Sequence, residues 1–282
     1  MEHPTSTSSN SERARVVIDA LKRRRIRIIS VEGSIGAGKS RLMDALHAQI
    51  CAQGLSAITA ENKTLNPSPL RYLVVPEPIV SWTKQLYETK PLGSGESEMR
   101  SILKLFYSDM KRWGFLFQVK AFTSRLRLLC DQLARLEAEH TEDGKQIVVL
   151  SERSLITDRI FFRNLYEHGL VTPAEWEIYN EFYDTVTTEA STHHDLMLYV
   201  DTPAQKCDDR VKLRAREGEQ DIPMQYMHDL HDQHQRMITD FVQSVEERQV
   251  IHVAFSDDLS QAQIDERAST LLKEFTVLVA GG

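Results

Sequence analysis

A chain of 282 residues with 41% hydrophobic and 27% charged side chains has ordinary globular composition, which excludes a fibrous or wholly disordered protein. Its formal net charge of −7 has the wrong sign for wrapping a phosphate backbone, so no nucleic-acid partner is expected. Apolar runs are broken by charge well before the ~20 residues of a membrane span, and no signal-peptide core follows Met1. The odd trio Cys51, Cys130 and Cys207 lacks metal-ligand spacing, so a soluble chain with reduced thiols is expected, cytoplasmic unless a signal directs it to the nucleus or mitochondrion.

Residues 1–24 read as a polar, disordered tail and residues 25–282 as a single domain. The basic cluster Lys22 to Arg25 matches a nuclear signal only loosely and reads better as solvated charge beside a strand. Glu2, Glu12 and Asp19 argue against a mitochondrial transit peptide. Ile26 to Val31 is β-rich and runs into a glycine loop, after which Leu42, Ala45, Leu46 and Ile50 predict a helix over Arg41 to Gln53. A second strand is predicted at Leu73 to Val75, stopped by Pro76-Glu77-Pro78. Phe122, Leu126, Leu129, Leu133 and Leu136 mark a long helix within Trp113 to Glu139. A buried strand at Gln146 to Leu150 leads into Ser151-Glu152-Arg153-Ser154, and helices follow to about His193. Then come a strand at Leu196 to Val200, a helix start at Thr202-Pro203, an arginine-rich stretch to Arg216, a helix near Ile222 to Val242 and a strand at Val250 to Ala254. Alternating strands and helices predict an α/β fold with a parallel sheet whose functional residues gather at the strands' carboxyl ends.

The segment Gly33-Ser34-Ile35-Gly36-Ala37-Gly38-Lys39-Ser40 has the G-x-x-x-x-G-K-S spacing, between a strand and a helix as that loop requires. Its backbone N–H groups and helix N-terminus suit phosphate oxygens, Lys39 suits the β- and γ-phosphates, and the Ser40 hydroxyl suits Mg²⁺. A chance glycine turn would not also supply the lysine, the serine and the flanking elements, so a nucleoside triphosphate is the expected ligand.

Transfer of a phosphoryl group also needs an acceptor, a base and cations. Glu77, between two prolines at a strand end, is a candidate general base, against the plainer reading of an exposed loop glutamate. Glu152 and Arg153 are candidates for the Mg²⁺ environment and the acceptor oxygen, although such a pair alone is more often a surface salt bridge. Arg210 and Arg214 share a helical face and Arg216 follows, with Lys212 among them. That suits a cationic lid, set against a solvated basic face.

Together GSIGAGKS, VPEPIVSW, YSDMKRWGFLFQ, SRLR, SERSLITDR, NLYE, EWEIY and RVKLRAREGEQDIPMQY resemble, in order and spacing, the deoxynucleoside kinase family of the deoxycytidine and deoxyguanosine kinase type, from about Ile26 to Asp258. The resemblance implies a three-layer P-loop kinase fold with a five-stranded parallel sheet and a helical lid. It implies a homodimer packed through helices, using Mg²⁺ with ATP or another triphosphate to phosphorylate a deoxyribonucleoside at its 5′-hydroxyl. Glu77 would then be the base, Arg153 would hold the hydroxyl, Glu152 would join Ser40 near Mg²⁺, and Lys39, Arg210, Arg214 and Arg216 would stabilise the phosphoryl group, with Arg214 and Asp258 on the ATP side. Tyr107 and Glu219 would bind the 3′-hydroxyl, Gln118 the base edge, and Phe117, Phe162 and Trp82 would enclose the base. Residue types Arg125 and Asp158 at the base-reading positions imply deoxyadenosine, deoxyguanosine or deoxycytidine rather than thymidine.

The chain departs from the family pattern at Phe106, bulkier than the usual methionine, at Phe162 to Asn164, one residue short, and at Leu259, where a phenylalanine often stacks on the donor base. A thymidylate-type monophosphate kinase is disfavoured because Glu77 would repel an anionic substrate. A GTPase is disfavoured because Asn62-Lys63 lacks the following aspartate. A thymidine-accepting multisubstrate kinase and a non-catalytic subunit reusing the fold are the remaining alternatives.

Overall fold

The computed structural model describes residues 26–52, 56–58, 70–89, 98–139, 146–189, 194–216, 219, 222–244, 249–255 and 259–280. The tail before residue 25, the Glu61 to Pro69 loop and Asp258 lie outside the described residues.

Six parallel strands form one sheet in the order β2-β3-β6-β1-β7-β8. The five predicted strands are there as β1 (Ile26–Glu32), β3 (Leu70–Val75), β6 (Gln146–Glu152), β7 (Leu196–Asp201) and β8 (Gln249–Ala254), and a short β2 (Ser56–Ile58) extends the edge beside β3. β1 sits centrally, pairing Ile28 with Val149 on β6 and Val31 with Leu198 on β7. Both faces of these strands are apolar. Ile26, Ile28, Leu73, Val75, Ile147 and Val149 pack with Leu133 into one cluster, while Ile29, Val31, Tyr72, Val148 and Leu150 belong to the larger cluster opposite. The period-two alternation buries each set under its own helical layer, which gives three layers.

Around the sheet lie α1 (Lys39–Ala52), the short α2 (Ile79–Thr83), α3 (Ile102–Ser108), the 30-residue α4 (Met110–Glu139), α5 (Leu155–Glu167), α6 (Pro173–Glu189), α7 (Ala204–Arg214), α8 (Met224–Ser244) and α9 (Gln261–Ala280). An antiparallel pair, β4 (Leu86–Thr89) with β5 (Glu98–Ser101), lies outside the main sheet. It was not legible in the sequence because each strand has four residues and neither alternates cleanly. Among the described residues no helix is long and apolar enough to cross a membrane.

Candidate active site

The carboxyl ends of β1, β3, β6 and β7 open on one side, and there each strand hands the chain to a residue type that the chemistry needs. After β1 the glycine loop turns into α1. Gly36 (φ 78°) approaches α7 so closely that a Cβ would lie 2.4 Å from the Cys207 carbonyl oxygen, so glycine is required. Lys39 opens α1 and donates to the carbonyls of Gly33 (3.2 Å) and Ser34 (2.8 Å). Burial, and next the charge of Arg153, lower its pKa from 10.5 to about 8. Gly33, Ser34 and Ala37 form the floor of the loop, and Ala37 offers its carbonyl to Thr202 and Arg210 at 2.9 and 3.2 Å.

After β3 the Pro76-Glu77-Pro78 turn presents Glu77, whose Oε1 is 3.1 Å from both Arg125 Nη2 and Arg153 Nε. After β6, Glu152 accepts from the Ser40 hydroxyl at 2.8 Å. Arg153 then takes a left-handed backbone conformation (φ 66°), uncommon outside glycine and asparagine, fixed by its N–H donating to the Val31 carbonyl at 3.0 Å and by Ser154 capping α5. This local strain turns the Arg153 side chain back over the sheet end.

Arg125 reaches from α4 to tie this centre together. Its Nε donates to Asp158 (3.0 and 3.3 Å to the two oxygens) and its Nη1 donates to the Glu152 carbonyl (2.9 Å). Both Arg125 and Asp158 are buried. Burial pushes the Asp158 carboxyl up to about 6, against the pull of Arg125.

One cavity of about 700 Å³ joins these groups. Lys39, Ser40 and Gly36 line its glycine-loop end, with Arg210 and Arg214 from α7 and Arg216 just beyond it. Glu77, Arg125, Arg153 and Asp158 line its middle. Trp82, Tyr107, Phe117 and Gln118 line the far end, where Trp82 and Phe117 meet edge to face at 5.6 Å. Gln118 is buried at the cavity wall, and its amide nitrogen has no hydrogen-bond partner. Glu219 also lines the cavity and accepts from Arg214 and, at 3.1 Å, Arg216.

A family model described as deoxynucleoside kinase matches residues 29–279, nearly the whole described chain. The chain belongs to the deoxynucleoside kinase family. Deoxycytidine kinase of Rattus norvegicus is 33% identical over 217 residues, 75% of each chain, and deoxycytidine kinase 1 of Xenopus laevis is 30% identical over 264 residues, 89% of this chain and 91% of its own. The mitochondrial deoxyguanosine kinase of Xenopus laevis is 28% identical over 222 residues, 77% of this chain and 75% of its own. The protein is thus a phosphotransferase acting on deoxyribonucleosides with a nucleotide as phosphate donor.

Within this deoxynucleoside kinase the aromatic expected over the base is displaced by one position. Phe162 is fully buried and stacks on Tyr179 at 4.0 Å, away from the cavity, whereas Phe161 lines it. Neighbouring helical residues point about 100° apart, and the packing of Phe162 on Tyr179 leaves Phe161 toward the cavity. Lys212 turns to Asp208 at 2.7 Å and not to the cavity. Phe106, Tyr226 and Phe255 also line the cavity, and of these Phe106 stands out in the sequence by its bulk. Phe106 lies face to face with Phe117 at 4.5 Å, so the bulk that departs from the family pattern buttresses Phe117. Nothing in the local sequence distinguishes Tyr226 and Phe255 from core residues.

Proposed function

We propose that this deoxynucleoside kinase transfers the γ-phosphoryl group of Mg²⁺-ATP to the 5′-hydroxyl of deoxyadenosine, deoxyguanosine or deoxycytidine in preference to thymidine, as a cytoplasmic homodimer serving nucleotide salvage. The observation that carries the reading is the arrangement of Glu77. Its carboxylate shares one cavity with Lys39 and Ser40 and is held at 3.1 Å by two guanidiniums.

Glu77 accepts the 5′-hydroxyl proton while Arg153 holds that oxygen in line with the γ-phosphorus. An anion clamped by two cations is a weak base toward a free alcohol. In a loose phosphoryl-transfer transition state, however, the proton leaves late, when bonding to phosphorus has made the alcohol oxygen acidic. Lys39 and the lid arginines offset charge on the transferring oxygens. Tyr107 and Glu219 take the 3′-hydroxyl and so fix the far end of the sugar.

Ser40 and Glu152 offer a hydroxyl and a carboxylate oxygen side by side, the hard donors that suit Mg²⁺. When bound it would neutralise the bridging β- and γ-phosphate oxygens.

Base choice rests on Gln118, Arg125 and Asp158. Gln118 and the Arg125–Asp158 pair line the cavity with the donor and acceptor groups that suit the polar edge of cytosine or a purine. The methyl of thymine against that pair would leave buried polar groups unsatisfied at ~1–3 kcal/mol each. The names of the relatives, deoxycytidine and deoxyguanosine kinases, agree with this choice. Initial rates with the four deoxynucleosides and Mg²⁺-ATP test the reading. Turnover of the first three with little thymidine phosphorylation is expected. Thymidine preference would point to the multisubstrate alternative, and no turnover at all to a non-catalytic subunit.

A further inference from the structure

Behind the cavity wall, and not lining it, lies a histidine whose chemistry is fully determined by two contacts. His234 on α8 is completely buried. Its Nδ1 is 2.6 Å from the carbonyl oxygen of Leu230, one turn earlier. A carbonyl only accepts, so Nδ1 carries the hydrogen. Its Nε2 is 3.4 Å from Arg153 Nη1, and a guanidinium only donates, so Nε2 must present its lone pair. The two contacts together admit one form, the neutral imidazole with hydrogen on Nδ1.

We infer that His234 is a positioning residue for phosphoryl transfer: its Nε2 accepts a hydrogen bond from Arg153 and fixes the angle at which that guanidinium meets Glu77 and the cavity. Arg153's part in the transfer comes from the kinase reading above, while the protonation state of His234 does not depend on it.

The Arg153 guanidinium is held on three sides. Glu77 takes its Nε at 3.1 Å, His234 takes Nη1, and the Phe161 ring lies beneath its central carbon at 4.8 Å. Phe161 in turn meets the His234 ring edge-on at 6.1 Å, and Tyr199 flanks the imidazole at 6.4 Å. Burial, and next the charge of Arg153, push the His234 pKa from 6.5 to about 3, so the acceptor lone pair persists across the working pH range. Without that acceptor the guanidinium can rotate to grip Glu77 with two nitrogens, which occupies the carboxylate oxygen needed for the 5′-hydroxyl proton. The link also joins α8, the helix following the lid segment, to the strand end that carries the chemistry.

Three measurements test this role. In the wild-type protein, nitrogen chemical shifts of His234 should show a protonated Nδ1 and an unprotonated Nε2, unchanged from about pH 8 to about pH 5. His234→Leu should lower kcat by ~10- to 100-fold with nucleoside and ATP KM nearly constant, the scale of loss for a misaligned catalytic group. His234→Gln, whose amide oxygen reaches the Nε2 position, should recover most of it. In an Arg153→Ala background the same His234→Leu change should cost nothing more. A cationic or Nε2-protonated His234, equal losses in the Gln and Leu variants, or a full further loss on top of Arg153→Ala would each overturn the role. If His234→Leu does not fold, the wild-type nitrogen shifts and the Gln variant decide. An inactive wild type would sink the kinase reading together with this role, whereas an active wild type with a protonated Nε2 sinks the role alone.

Discussion

Glu77 is the side chain proposed as the base, and its environment pulls its charge two ways. Burial alone would push the carboxyl up, but Arg153, Arg125 and Lys39 outweigh it and hold the group below its ordinary 4.5, at about 2. A folded-state value below the unfolded one means the ionised carboxylate adds stability above roughly pH 4.5, and that stability drains away as pH falls toward 2. Glu77→Gln keeps the shape and removes the base, so kcat should fall by ~10²–10⁴ while nucleoside KM changes little. Steady-state kinetics check this, and near-wild-type turnover would take Glu77 out of the role. Urea unfolding of the same pair should show the variant less stable at neutral pH, with the gap closing as pH drops below about 4.5, because protonation then neutralises the wild-type carboxyl as well.

At the scale of elements, the lid is a helix end wired to its own carboxylate. α7 stops at Ala215, which takes a left-handed conformation (φ 49°), and the chain then brings Arg216 and Glu219 back beside Arg214. Glu219 is buried and holds both arginines, so neither can meet a phosphate without changing its relation to the group proposed to bind the sugar. If Glu219 binds the sugar as proposed, sugar binding and the position of these arginines are coupled. Glu219→Gln should therefore raise nucleoside KM and lower kcat together, by roughly 10- to 100-fold in kcat/KM, as expected for losing a buried charged partner worth ~1–3 kcal/mol. A change in KM alone would separate the two functions. Much of this scale was readable beforehand. The five long strands, the glycine loop and α4 announce themselves by periodicity, and Glu77, Glu152 and Arg153 stand at strand ends where an α/β sheet puts its chemistry. What stayed hidden depends on tertiary direction. Phe161 and Phe162 are identical in type and adjacent, so only the packing of Phe162 on Tyr179 decides which one faces the cavity. His234 reads as one more histidine on a helix until Arg153 is seen beside it.

For the molecule as a whole, the glycine-loop end and the aromatic end belong to one cavity, with walls drawn from the glycine loop, α4, α5 and the end of α7. A ligand that fills either end binds only the folded chain and must stabilise it by mass action. At a concentration ~100-fold above its dissociation constant, Mg²⁺-ATP should add about 2.7 kcal/mol. For a chain of this size that corresponds to a rise in Tm of roughly 5–10 °C. Deoxycytidine or deoxyguanosine should produce a rise without any donor present, because Gln118, Arg125 and Asp158 already line the cavity. Thymidine, whose methyl would meet the Arg125–Asp158 pair, should give a clearly smaller rise at equal concentration. Thermal unfolding thus reads base choice without turnover. Equal shifts for all four nucleosides would mean that the buried ion pair holds the site together but does not select the base, and discrimination would then have to arise in the transition state.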